Sequence, residues 1–249
     1  AEHPEMRLTD LARRSGLPVS TVHRMVAELH SWGALERNED GVYRIGLRLW
    51  ELAALAPRGQ GLRERALPYL EDLCQITREN VQLAVREGLE VVFLERLAGS
   101  AAVPTLTRVG GRLGLTVTGV GLVLLAHAPV EIQEEVLASQ ITRCTPKTVT
   151  DPRLLRRMLA DIRTNGFAVS DRQLSMETLS VAAPVREHPK GPVVAAISLV
   201  VRYERASEHA YVPLGRASAQ AIARVLAAPD ADTPESGARD DFLLMEDAL

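Results

Sequence analysis

Ser20, Thr21, His23 and Arg24 stand close together on a short stretch whose apolar residues fall at Val22, Met25, Val26 and Leu29. That i, i+3, i+4, i+7 spacing is one stripe of an α-helix. With the stripe turned inward, the hydroxyls, the imidazole and the guanidinium share the outward side with Ala27. These groups suit the edges and phosphates of a nucleic-acid duplex: near the start of a recognition helix they reach bases in the major groove. Ser20, Thr21 and Arg24 are the expected base readers. His23 fits a phosphate contact and a solvated position equally well. Arg44, further along, is expected on the sugar–phosphate backbone, whereas Arg13 and Arg14 singly fit a solvated face as well as a phosphate contact.

The residues that could catalyse a reaction are scattered. His127, His188 and His209 share no metal-ligand spacing, and Cys74 and Cys144 have no flanking histidine. The two cysteines match no zinc or redox spacing and are expected to be reduced, mostly buried thiols. Asp151, in Asp-Pro-Arg, fits a helix cap rather than a general base. Gly110-Gly111 is too short for a phosphate loop and fits a bend. An enzyme built on the second half of the chain remains the main rival, and a winged helix that contacts protein the second. No cofactor and no metal site are expected.

The elements needed to present residues 20–27 are legible around them. Leu8, Leu11 and Ala12 have helical spacing, and Gly16-Leu17-Pro18 ends that helix. A second helix is expected from about Ser20 to Trp32, closed by Gly33. Ala12 permits close crossing of the two helices, Gly16 permits a left-handed turn, and Leu11, Leu17, Val22 and Met25 fill inner positions. Two short strands, Ala34–Arg37 and Val42–Ile45, flank Asn38-Glu39-Asp40-Gly41 and form a two-stranded wing. The pattern is a winged helix-turn-helix.

Leu47–Ala56 is expected to be helical, and Pro57-Arg58-Gly59-Gln60-Gly61 a linker. Beyond it come a helix over Leu62–Thr77 and strands at Val81–Arg86 and Val91–Leu97. Helices are expected at Thr118–His127, Val130–Ser139 and Pro152–Asn165, a hairpin from Leu179–Arg186 and Val193–Val201, and a last helix over about Leu214–Ala227. The domain plan is therefore 1–46, a winged helix-turn-helix domain; 47–61, a linker helix and linker; 62–228, a larger second domain; and 229–249, an acidic tail expected to be disordered.

Charge neither makes nor breaks the nucleic-acid reading. The chain of 249 residues carries a net charge of −3, but residues 229–249 hold seven acids against Arg239, leaving +3 on residues 1–228. Residues 1–58 balance eight arginines with eight acids. The apolar run Val120–Ala128 is half the ~18 residues of a membrane span and fits a buried helix. The Ala-Glu-His-Pro start lacks a signal-peptide pattern, and a cytoplasmic location is expected.

With these motifs in place, the sequence resembles the IclR family of bacterial transcription regulators. The resemblance is carried by Leu8-Thr-Asp-Leu-Ala-Arg-Arg-Ser-Gly-Leu-Pro, Ser20-Thr-Val-His-Arg, Gly33 and Gly41-Val-Tyr-Arg-Ile-Gly-Leu-Arg-Leu. It continues through Thr145-Pro-Lys-Thr-Val-Thr-Asp and Ala182-Ala-Pro-Val, and reaches Ala228. It implies an α+β chain with a winged helix-turn-helix domain, a linker helix and a GAF-like effector-binding domain. It further implies a homodimer, or a dimer of dimers, on a palindromic operator, with repression the expected mode. The effector it implies is an organic or aromatic acid. The family pattern starts with a further helix, which implies a chain trimmed before Ala1.

Carried over residue by residue, the resemblance puts Gly119, Val120, Ser170, Ser180 and Ser198 in the effector pocket. N–H groups at a helix start suit an anion and serine hydroxyls suit adaptable hydrogen bonding. Each serine equally fits an ordinary strand or turn hydroxyl, and Gly119 a packing position. The family usually has an acid at Gln173, Gly at Glu177, often Cys at Ser180, Lys at Leu122, and Pro-Leu-His at Gly114-Leu115-Thr116. These departures bear on the ligand rather than the fold; Val120 and Leu122 point to an effector less polar than a two-carbon acid.

Overall fold

The computed structural model describes residues 5–54 and 60–228, which fall into two compact units divided between Leu62 and Arg63. In the first unit, strand β1 (Glu5–Arg7) leads directly into helix α1 (Leu8–Ser15), then α2 (Val19–Ser31), β2 (Leu35–Arg37), β3 (Val42–Ile45) and α3 (Leu47–Ala54). Gly16 caps α1 at φ 69°, a left-handed conformation that glycine adopts without strain. The wing has three antiparallel strands in the order β1-β3-β2, not the two expected, because Glu5, Met6 and Arg7 pair with Arg44, Tyr43 and Val42. One sheet face, carrying Leu35 and Tyr43, packs on Ala12, Val22 and Val26.

That core is smaller than the periodicity implied. Val22 and Val26 are buried, but Met25 is 47% and Leu29 43% exposed, and Leu17 is exposed as well. The short α1 covers only part of the stripe, so Leu17, Met25 and Leu29 are not inner positions among the described residues. Residues 55–59, and with them most of the expected linker, lie outside the described residues. Gln60 and Gly61 do not continue that linker: they open the next helix.

The second unit is built on a six-stranded antiparallel sheet in the order β6-β5-β4-β9-β8-β7. Helix α4 (Gln60–Thr77) precedes β4 (Asn80–Glu87), β5 (Glu90–Ala98) and β6 (Arg112–Gly114). Then follow α5 (Gly119–Ala126), α6 (Val130–Ala138), α7 (Pro152–Asn165), β7 (Ala168–Asp171), β8 (Thr178–Arg186), β9 (Val193–Arg202) and α8 (Glu208–Leu226). The edge strands β6 and β7 were not expected. Nor was the start of α8 six residues before Leu214, since Pro213 lies inside that helix.

Helix α5 is buried along its whole length and lies against β8, β9 and β7. Its residues Val120, Leu122 and Leu125 join Phe93, Leu155 and Leu159 in the main core. Helix α8 covers β8 and part of β9. Arg65 of α4 donates to the carbonyls of Val225, Leu226 and Ala228, satisfying acceptors that a helix end leaves open. Among the described residues, no helix is long and apolar enough to cross a membrane. Cys74 is half-buried and Cys144 exposed, so the expectation of two buried thiols fails for Cys144.

Candidate functional site

The first surface is the outer side of α2. Val22 and Val26 anchor the helix, and the same turn leaves Ser20, His23, Arg24 and Ala27 exposed, with Thr21 half-buried. Val22 N–H donates to the Pro18 carbonyl, so Pro18 fixes where the helix begins. The four polar side chains therefore occupy its first two turns.

Arg44 belongs to a different environment. It lies on the central strand of the wing, and its Nε and Nη2 reach Glu36 at 2.9 and 2.7 Å. This hydrogen bond is the main reason the Glu36 carboxyl is held below the usual carboxylate range. A phosphate would have to compete with Glu36 for the Arg44 guanidinium. At the wing tip, Asn38 Oδ1 accepts from Val42 N–H at 2.8 Å, and Gly41 turns the chain at φ 75°. Arg37 stacks over Tyr43, 5.5 Å from the ring centre.

The second site is a cavity of about 270 Å³ in the larger unit, between the start of α5, strands β4, β8 and β9, and the 104–107 and 173–178 segments. Val120, Ser170 and Ser180 line it, three of the five residues carried over from the resemblance. Gly119 sits behind Ser180: a Cβ on it would lie 2.7 Å from Ser180 Oγ. Ser198 is buried next to Gln82, its hydroxyl 3.4 Å from Gln82 Oε1, and does not line the cavity itself. Leu122 is in the core away from the cavity, so it contributes nothing to the polarity there.

The wall also contains residues that local spacing did not bring forward. Gln82 donates through Nε2 to Thr107 Oγ1, and Thr107 donates to Thr105 Oγ1 at 3.1 Å. Ser198, Gln82 and Thr107 thus each donate in one direction, with the second Nε2 hydrogen of Gln82 left over. Thr105, at the end of the series, keeps its hydroxyl proton for an acceptor in the cavity. Gln173 is buried; its side-chain oxygen accepts from Val149 N–H, and its carbonyl from Thr148 Oγ1 at 2.7 Å. Ser170 donates to the Val117 carbonyl at 3.2 Å, tying β7 to the segment before α5.

Thr118 shapes the remaining wall. Its Oγ1 accepts from Gly121 N–H at 3.0 Å, an N-cap that fixes the start of α5. The N–H groups of Gly119 and Val120, at the same helix start, have no carbonyl one turn back. Val117, Leu106, Leu174 and Val200 give the cavity apolar sides. Among the described residues, the lining contains no lysine or arginine, and its one carboxylate, Glu177, is exposed. Beyond the cavity, Asp171 is held below its usual range chiefly by the hydrogen bond from Arg172, whose guanidinium stacks on Tyr203 at 3.6 Å. No group of three or more His, Cys, Asp or Glu side chains able to hold a metal ion occurs among the described residues.

A winged helix-turn-helix followed by a separate cavity-bearing α+β unit defines a DNA-binding transcriptional regulator. Comparison with known proteins identifies which kind. The IclR helix-turn-helix domain model matches residues 1–39, and the bacterial transcriptional regulator IclR C-terminal model matches residues 55–224. The chain belongs to the IclR family. It is 32% identical over 198 residues to the HTH-type transcriptional regulator KipR of Bacillus subtilis, covering 79% of this chain and 78% of that one. It is 31% identical over 197 residues to XynR of Escherichia coli, with 78% of each covered. Both relatives are HTH-type transcriptional regulators. Among solved structures, an IclR homolog from Microbacterium hydrocarbonoxydans complexed with 4-hydroxybenzoate is 42% identical, with a TM-score of 0.85 over 91% of this chain and 93% of that one. An IclR homolog from Microbacterium sp. strain HM58-2 is 40% identical, with a TM-score of 0.62 over 90% of each chain.

Proposed function

We propose that this regulator is a repressor whose hold on a palindromic operator is set by a small aromatic acid bound in the 270 Å³ cavity. Ser20, Thr21 and Arg24 read bases, His23 approaches a phosphate, and Arg44 reaches the backbone after exchanging Glu36 for it. The protein acts in the cytoplasm as a homodimer or dimer of dimers, matching the two-fold symmetry of its site. Residues 1–46 form the DNA-binding domain, 47–61 the connection and 62–228 the effector domain.

The observation that carries the effector class is the make-up of the cavity wall. Apolar Val117, Val120 and Val200 can flank a ring, while polar groups are few and directed. Donors are available from the Thr105 hydroxyl and from the α5 N-terminus, where N–H groups favour a carboxylate without a basic side chain. A cavity without a cation suits one carboxylate on an apolar body better than a compact dianion. The complex of the Microbacterium hydrocarbonoxydans homolog with 4-hydroxybenzoate agrees with that class.

The test is an anisotropy titration of a labelled fragment from the protein's own promoter region, with and without 4-hydroxybenzoate. The proposal expects tight, salt-sensitive binding that weakens when the acid is added. Equal affinity with and without the acid, in the presence of a measured thermal shift, would refute aromatic-acid control of the operator. An affinity raised by the acid would refute simple effector-relieved repression.

A further inference from the structure

A second concavity, of about 400 Å³, lies in the larger unit where α8 crosses β8. Arg186 at the end of β8, and Arg216 and Arg224 on α8, line it, together with an apolar floor that includes Ala183, Ala219 and Ala223. Among the described residues, no acidic side chain lines the groove and none of these three arginines is in an ion pair. Arg186 uses one Nη only to donate to the Gly191 carbonyl at 2.8 Å. Nearby, the His127 imidazole is pushed toward its neutral form, first by its own burial and then by the charges of Arg186 and Arg163. Among the described residues, no ion pair offsets the charge of these three arginines.

The largest concentration of opposite charge in the chain follows α8 directly. Residues 229–249, outside the described residues, contain Asp230, Asp232, Glu235, Asp240, Asp241, Glu246 and Asp247 against Arg239 alone, and include the apolar run Phe242-Leu-Leu-Met. Acid groups for the three arginines and apolar groups for the alanine floor therefore occur in one segment. Reach is ample. Running back from Ala228 to Arg216 along α8 covers about 18 Å at ~1.5 Å per residue. The twelve residues from Ala228 to Asp240 extend to about 40 Å at ~3.3 Å per residue. A covalent tether also raises the effective concentration of the acids at the groove to roughly the millimolar range.

We infer that the acidic segment 229–249 docks back into the Arg186–Arg216–Arg224 groove of its own chain, as an intramolecular strap held by charge and anchored by Phe242–Met245. Each arginine fork can donate two parallel N–H bonds to one carboxylate, and three of them along one groove can hold several successive acids. A strap bound in this way keeps an arginine-rich surface of a DNA-binding protein from collecting stray phosphates.

Arg239 is the only trypsin site of the segment, so the rate at which the peptide 240–249 is released reports docking in the full-length protein. Each rate is divided by that of the free synthetic peptide 229–249 under the same conditions. Cleavage follows the undocked population, so a strap seated about nine-tenths of the time gives a ratio near 0.1. Raising salt from about 0.1 M to about 1 M shortens the screening length from ~10 to ~3 Å and brings the ratio toward one. Arg216→Gln/Arg224→Gln does the same at low salt, with an unchanged melting temperature as the control for folding. If that variant is misfolded, Asp230→Asn/Asp232→Asn/Glu246→Gln/Asp247→Asn, which leaves the folded unit untouched, decides the matter. A ratio near one in the unmodified protein overturns the strap. So does a low ratio that neither salt nor the charge variants change. A ratio that falls as protein concentration rises places the segment on a second copy and overturns docking within the chain.

Discussion

Replacing Gly119 by alanine probes the contact between α5 and β8 on which the cavity depends. The added Cβ would lie 2.7 Å from Ser180 Oγ, 3.2 Å from Ala182 Cβ and 3.3 Å from Ser180 Cβ. The hydroxyl can rotate away, but the two carbons belong to a central part of strand β8 and cannot. Helix and strand must therefore separate by a few tenths of an ångström in a core where Val120, Leu122 and Ala182 are almost fully buried. Overpacking of that kind costs about 1–3 kcal/mol, and because Gly119 opens α5, only part of the ~0.5–1 kcal/mol that alanine gains over glycine in a helix interior offsets it. A net loss of roughly 1–2 kcal/mol corresponds to a fall of ~2–6 °C in the melting temperature of a unit this size. Thermal unfolding followed by circular dichroism measures this. A matched titration with 4-hydroxybenzoate should show weaker binding, because the displaced Ser180 hydroxyl and the α5 N-terminus share one wall. Operator affinity without effector should not change. An unaltered melting temperature together with unaltered acid binding would refute the close packing of Gly119 on Ser180 and the cavity wall built from it.

Other consequences are more local. Gly46→Ala would put a Cβ 2.2 Å from the Gly33 carbonyl oxygen, a backbone atom that cannot rotate away. It should disable operator binding while leaving thermal stabilisation of the larger unit by the acid intact. Thr118→Val keeps the shape of the side chain but removes the acceptor for Gly121 N–H; a cost of about 1 kcal/mol in urea unfolding is expected, with weaker acid binding. Asp171 has its folded-state pKa depressed chiefly by the Arg172 hydrogen bond, so its contribution is full above the ordinary aspartate value and disappears as pH falls through that value toward the folded one. Asp171→Asn should therefore lower the melting temperature slightly at pH 7, and this difference should vanish in acid; 44% exposure of the carboxylate keeps the effect small.

What could be read in the sequence depended on how local the signal was. Helix α7 was bounded correctly at both ends because its start and stop are written in adjacent residues: Asp151 accepts from Arg153 N–H at 2.8 Å, Pro152 opens the first turn, and Gly166 closes it at φ 73°. Strands β1 and β6 escaped notice because three residues are too few to display alternation, and they exist only through pairing with β3 and β5. The stripe Val22–Met25–Val26–Leu29 marked α2 as a helix but overstated what is buried, since burial depends on the partner surface and the described partner covers only two of the four residues. The cavity shows the same division. Val120, Ser170 and Ser180 came from a family resemblance, whereas Gln82, Thr105 and Thr107 are brought to the wall by sheet pairing and a loop spread over 26 residues. Nothing in their local sequence announces a hydrogen-bond series. Gln173 stood out only as a departure from the usual acid; its buried position against Thr148 and Val149 gives it a structural task.

The most direct test of the account is the operator affinity of Arg24→Ala beside that of the unmodified protein, measured by anisotropy at one fixed salt concentration. Arg24 is exposed on the first turns of α2 opposite Val22 and Val26, so its removal should leave the fold unchanged. If the outer side of α2 reads bases, affinity falls by ~1–3 kcal/mol, roughly 5- to 150-fold, and discrimination between the operator and an unrelated duplex narrows. Identical titration curves for the two proteins on both duplexes would contradict the assignment of α2 as the reading helix.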